Sequence, residues 1–141
     1  MRPLREMTLL YDAACGLCTR ATDWIARQDS LLSLRFIATG SEEARRRFPG
    51  LRAGELAVVA DTGEAWTGNH AWIVCLWALR DYRDLAVRLS GPLLLPLARE
   101  AFAMVSANRA GLSRAFGWES EWDLRERLRR ITVPECAAVQ K

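Results

Sequence analysis

Hydrophobic and polar positions along this chain switch between a period of two and a period of 3.6, and the switches predict its elements. The run Met7-Thr8-Leu9-Leu10-Tyr11 is short and apolar and predicts a buried strand over 7–11. Asp12 to Ala14 reads as a turn. From about Cys15 to Gln28 the helical period takes over: Leu17, Ala21, Trp24, Ile25 and Gln28 share one face, while Arg20, Asp23 and Arg27 lie elsewhere. Asp29-Ser30 breaks that helix. Over 33–38, Leu34, Phe36 and Ala38 alternate with other residues, which predicts a second strand. A helix in the connection makes the two strands parallel, with a right-handed crossover.

The pattern continues with a short helix over 42–48, capped by Thr39-Gly40-Ser41, with acids in its first turn, arginines in its last, and Pro49-Gly50 after it. Strands over 55–60 and 65–67, joined by Asp61-Thr62-Gly63-Glu64, form an antiparallel hairpin. Asn69 is the expected N-cap of a helix over 70–80 that is apolar nearly all round, and so buried between the sheet and the C-terminal helices. Residues 81–90 continue as helix or loop. Gly91-Pro92 turns the chain, and Pro96 suits the first turn of a helix to about Asn108. Gly111 and Gly117 punctuate the stretch after that helix. Residues 119–131 form a charged amphipathic helix with Trp122, Leu124, Leu128 and Ile131 as its apolar residues. The reading is α/β: one domain over 1–141, with a core over 7–90, a helical extension over 91–131 and a mobile tail over 132–141.

Composition narrows the function classes. With 141 residues, 50% hydrophobic and 26% charged, the chain can bury a core, and disorder is excluded. Net charge is only +3, and the clustered arginines, Arg45 to Arg47 and the group from Arg125 to Arg130, sit among acids or on solvated helix faces. No nucleic-acid partner is expected. No apolar run approaches the ~18 residues of a membrane span, and the start of the chain does not read as a secretory leader. The expectation is a cytoplasmic protein with no integral membrane segment. Thiols are kept reduced there, so a close cysteine pair points to catalysis or metal rather than to a structural bridge.

That pair is Cys15-Gly16-Leu17-Cys18, at the predicted strand-to-helix junction. A cysteine at a helix N-terminus meets unpaired backbone N–H groups and the positive end of the helix dipole, both of which favour thiolate. Cys15 would attack a substrate disulfide. Cys18, almost one turn on, would resolve the mixed disulfide, with one thiol exposed and the other more shielded. Asp12, three residues before Cys15, either moves the proton as Cys18 becomes the attacking group or caps the helix. Zinc needs about four ligands. Beyond the pair only Cys75, Cys136 and His70 remain, with no second close pair. Cys75 lies within an apolar helix and reads as a small buried hydrophobe. Cys136 is a spare thiol or a third redox partner. Of the six tryptophans, Trp24, Trp72 and Trp77 sit on apolar patterns and read as core. Trp66, Trp118 and Trp122 could border a groove at the motif, with core the simpler reading.

These residues resemble the DCC family of thiol-disulfide oxidoreductases, named for its Asp-x-x-Cys-x-x-Cys motif. Asp12, Cys15 and Cys18 match the motif. Tyr11-Asp12, Leu17-Cys18, Arg27-Gln28-Asp29, Arg35-Phe36, Asp61-Thr62-Gly63, the apolar helix from Ala71, and Asn108-Arg109 match its surroundings, over about residues 7 to 117. The resemblance implies a thioredoxin-like three-layer α/β fold: a central mixed sheet of about four strands flanked by helices, with additional C-terminal helices. The resemblance supplies no substrate; the reading of the residues is dithiol–disulfide exchange through Cys15 and Cys18, with no cofactor, and with a protein or small-molecule disulfide and a thiol donor as the expected partners. The alternatives are a non-catalytic thioredoxin-like binding or redox-sensing module and a zinc-binding domain. Two departures stand out. Ala13 replaces the glycine usual after the motif Asp, and Ala53-Gly54-Glu55 stands before the third strand where thioredoxin-like enzymes commonly carry a cis-proline.

Overall fold

The computed structural model describes residues 2–130. Cys136, Ile131 and the tail expected over 132–141 lie outside the described residues. The N-terminal half holds β1 (Glu6–Tyr11), α1 (Gly16–Ala26), β2 (Ser33–Ala38), α2 (Glu42–Arg47), β3 (Ala57–Ala60) and β4 (Ala65–Thr67). After them come α3 (Asn69–Ala78), a 3-10 turn at Arg80–Tyr82, α4 (Arg83–Leu89), α5 (Leu95–Ala107), α6 (Arg109–Ala115) and α7 (Glu121–Arg130).

The strands form one mixed sheet in the order β2-β1-β3-β4. β1 and β2 run parallel, from Glu6 opposite Ser33 to Tyr11 opposite Ala38. β3 runs antiparallel to β1, and β4 antiparallel to β3. This is the thioredoxin-like α/β architecture that the motif implied. β1 reads as a continuous apolar run because it is buried on both faces, Thr8 included. Met7 and Leu9 face one core, shared with Val58, Ile25 of α1, and Ala71, Cys75 and Ala78 of α3. Leu10 faces a second core with Ile37, Ala57 and Ala44 of α2. Helices thus cover both faces of the sheet, and α4 and α5 pack on α3.

Three local expectations are corrected. In α1 the buried positions are Gly16, Thr22 and Ile25, whereas Trp24 is 37% exposed, set edge-on against Tyr82. Thr22 tolerates burial because its hydroxyl donates to the Cys18 carbonyl one turn back (2.8 Å). α3 is entered through Gly68 at φ +62, a backbone angle that favours glycine, so Asn69 is not the cap. The side-chain Nδ2 of Asn69 is instead buried, with no hydrogen-bond partner among the described residues. Gly111 lies inside α6; Gly117, at φ +66, follows it. Cys75 is buried as expected, at 3% exposure.

Candidate active site

The end of β1, the first turn of α1 and the start of α6 converge. Cys15 has extended backbone and is the N-cap of α1, and its Sγ accepts the Cys18 backbone N–H at 3.3 Å. A second amide of this turn, Leu17 N–H, is taken by Ser113 Oγ of α6 at 2.9 Å, and the same hydroxyl donates to the Arg109 carbonyl. Two of the donors that a helix start leaves open are therefore used, one by the first cysteine and one by a residue far along the chain.

Asp12 shapes the turn before Cys15. Its carbonyl accepts from Cys15 N–H (3.2 Å) and its Oδ1 from Ala14 N–H (3.0 Å). Cys15, not Asp12, caps α1. The other carboxylate oxygen, Oδ2, lies 3.2 Å from Arg109 Nη2. Arg109 Nη1 donates to the Gly54 carbonyl (3.2 Å) and lies 3.9 Å from Cys18 Sγ. One guanidinium thus joins the motif aspartate, the second cysteine and the segment before β3. Ala13 is fully packed at 1% exposure, and no non-glycine residue among those described adopts positive φ, so the turn does not depend on glycine at this position. Among the described residues there is no cis peptide bond, and Gly54 has φ +82, with Asp12 Oδ2 3.9 Å from where a Cβ would stand.

A family model matches residues 9–115 of the chain, described as DCC1-like thiol-disulfide oxidoreductase. The chain belongs to that family. No curated protein and no solved structure matches it. As a member of the DCC1-like family, the protein has a thiol–disulfide redox role, and its two neighbouring cysteines at the head of α1 fit that chemistry.

The two thiols of this DCC1-like protein sit in different surroundings. Cys18 faces a small apolar cavity of about 170 Å³, between Leu56, Trp72, Phe102 and Val105. Its thiol is pushed up to about 12, first by burial, then by the hydrogen bond and charge of Cys15 and by the charge of Asp12, with Arg109 acting in the opposite direction. At neutral pH Cys18 is therefore a protonated thiol. Cys15 opens instead on a larger cavity whose lining includes the charged Asp12 and Arg109 as well as Trp118. It is 7% exposed, less than Cys18, so the expectation of an open first cysteine is corrected; Gly117, Trp118 and Glu119, after α6, line the same cavity.

Asp12, Cys15 and Cys18 are brought together. Cys75 is apart in the core, where burial pushes its thiol up to about 12. Among the described residues no group of three His, Cys, Asp or Glu side chains could hold a metal ion. Trp118 borders the cavity at Cys15, Trp66 packs on the main core, and Trp122 is 57% exposed. Arg109 and Ser113 carry no signal in their local pattern; only the Asn108-Arg109 pair of the family resemblance pointed near them. No described helix is long and apolar enough to cross a membrane.

Proposed function

We propose that the protein exchanges a dithiol for a disulfide, with Cys15 as nucleophile, Cys18 as resolving thiol and Asp12 as proton acceptor. The observation that carries this is the asymmetry of the pair: Cys15 Sγ sits at the N-cap and accepts a backbone N–H, while the Cys18 thiol is held protonated. In the first step the Cys15 thiolate attacks one sulfur of a substrate disulfide. A bond forms between the two sulfurs, the old S–S bond breaks, and the second substrate sulfur leaves as a thiolate. In the second step Cys18 passes its proton to Asp12, directly or through water, and attacks Cys15 Sγ. The Cys15–Cys18 disulfide forms and the remaining substrate sulfur leaves as a thiolate, which takes up the proton. Two electrons move from protein to substrate, and an external thiol donor returns them.

Arg109 is a positioning residue in this scheme. It holds Asp12 by an ion pair and lies against Cys18, where its charge favours the thiolate that the second step needs. The helices beyond residue 91 then belong to the same unit as the cysteines, since α6 supplies Arg109 and Ser113. In a compartment that keeps thiols reduced, such as the cytoplasm, the protein works as a reductant.

The test is equilibration of the protein in thiol/disulfide buffers of graded poise, followed by alkylation and mass spectrometry. One two-electron transition between Cys15–Cys18 dithiol and disulfide is expected, absent in Cys15→Ser. A pair that stays dithiol at every poise would contradict the proposal.

A further inference from the structure

The cavity on which Cys15 opens constrains what can reach its sulfur. It measures about 560 Å³, within the range of small-molecule sites. Its cover is the segment joining α6 to α7. A Cβ built on Gly16 would fall 2.3 Å from the Trp118 carbonyl oxygen, so that backbone lies directly on the start of α1. The cover is tied down on several sides: Trp118 N–H donates to the Ser113 carbonyl (2.8 Å), Trp122 N–H to the Ala13 carbonyl (3.2 Å), Glu121 N–H to Thr19 Oγ1 (3.2 Å), and Tyr11 hydroxyl to the Glu121 carboxylate. Cys15 is itself only 7% exposed, so a disulfide held on a folded protein surface has little of this residue to approach.

At Gly54 the main chain is also already paired. The Gly54 N–H donates to Thr39 Oγ1 (2.9 Å) and its carbonyl accepts from Arg109 (3.2 Å). A strand-like substrate finds no open main-chain partner at this residue.

The charge of the cavity points to the rest of the substrate. Each acid on its wall is already partnered: Asp12 by Arg109, Glu119 by Arg127 (2.9 Å), and Asp123 by the Ser120 hydroxyl (2.8 Å) and N–H (3.1 Å). Arg114 is exposed on the same wall, and its side chain makes no ion pair or hydrogen bond among the described residues. A guanidinium so placed is suited to a carboxylate.

We propose that the substrate is a low-molecular-weight disulfide bearing carboxylates, admitted to Cys15 through this cavity and oriented by Arg114. This rests on the dithiol–disulfide exchange proposed for the pair. One disulfide RS–SR becomes two RSH: the first sulfur leaves when Cys15 is linked to the other, and the second leaves when Cys18 closes the protein disulfide. The reduced protein supplies both electrons, so a single turnover needs no other reductant.

The experiment mixes reduced protein, freed of reductant, with glutathione disulfide, with neutral hydroxyethyl disulfide, and with insulin. The rate of Cys15–Cys18 disulfide formation is read by rapid alkylation and mass spectrometry. Insulin is expected to be the slowest. The ratio of the glutathione disulfide rate to the hydroxyethyl disulfide rate is expected to fall about tenfold in Arg114→Gln, and to be largely kept in Arg114→Lys. An unchanged ratio in Arg114→Gln, or insulin outrunning glutathione disulfide, would overturn the proposal while leaving exchange itself intact. If none of the three oxidises the pair, the exchange reading fails, and the substrate proposal with it.

Discussion

Arg109, the first residue of α6, reaches Asp12 with its Nη2 3.2 Å from Oδ2, and this ion pair ties the C-terminal helices to the turn that presents the cysteines. The side chains are 38% and 16% exposed, so solvent screens the pair only in part. Arg109→Ala removes the pair, the donor to the Gly54 carbonyl and the contact with Cys18 together. A loss of about 1–2 kcal/mol in unfolding free energy is expected, measured as a shift in urea midpoint. Structural loss alone would stop there. If Arg109 also favours the Cys18 thiolate, resolution of a mixed disulfide should slow about tenfold, and its pH profile should move to higher pH. Arg109→Lys keeps the charge but loses the planar fork, so it should recover only part of the rate.

The Cys18 thiol, pushed up to about 12, gives a pH signature. The thiolate is the form that reacts, so iodoacetamide at pH 8 should label Cys18 only slowly. Labelling of Cys18 should climb about tenfold per pH unit until pH nears 12. In Cys15→Ser the Cys18 midpoint should fall, because the Cys15 hydrogen bond and charge both push it up. Peptide mapping across pH checks this; a Cys18 that titrates near 9 in the unaltered protein would contradict it. The same shift has a stability sign. A thiol raised in the folded state adds stability that is complete below its unfolded value, near 9, and is lost as pH rises through 12. Cys75 acts in the same direction and over the same window.

The sheet and the motif were legible because local patterns carry them. Met7 to Leu10 form an apolar run because β1 is central, and the Cys15–Cys18 spacing follows one helical turn. The faces of α1 were less legible. Periodicity selected Leu17 and Trp24, but the helix meets α6 as well as the sheet, so Gly16 and Thr22 are the buried positions beside Ile25. A small residue and a self-satisfied hydroxyl carry no hydrophobic signal. The roles of Arg109, singled out only by the Asn108-Arg109 resemblance, and of Ser113 were not legible for a similar reason: each is an ordinary polar residue of a short helix until the chain returns to Cys18 and to the Leu17 amide. The covering of the head of α1 at Gly16 was not readable either, since it depends on the Trp118 backbone rather than on any side-chain pattern.

Gly16 tests that covering. In helix propensity alone, Gly→Ala favours the helix by up to about 1 kcal/mol. Here the new Cβ would fall 2.3 Å from the Trp118 carbonyl oxygen, and a backbone atom cannot swing aside as a side chain can. Gly16→Ala should therefore destabilise the fold, by about 1–3 kcal/mol, with the sign opposite to that of propensity. Displacing the α6–α7 segment should also open Cys15. Faster reaction of Cys15 with a bulky maleimide, at pH 7 and below the unfolding transition, checks this.

The division of labour between Cys15 and Cys18 is tested most directly by the fate of a substrate sulfur when Cys18 cannot resolve it. Cys18→Ser and Cys15→Ser proteins, reduced and mixed with glutathione disulfide, would be quenched by acid and mapped by mass spectrometry. Cys18→Ser is expected to accumulate a mixed disulfide on Cys15, and Cys15→Ser to accumulate little on Cys18 at pH 7. Equal capture by the two variants, or capture on Cys18 alone, would contradict the assignment of Cys15 as nucleophile.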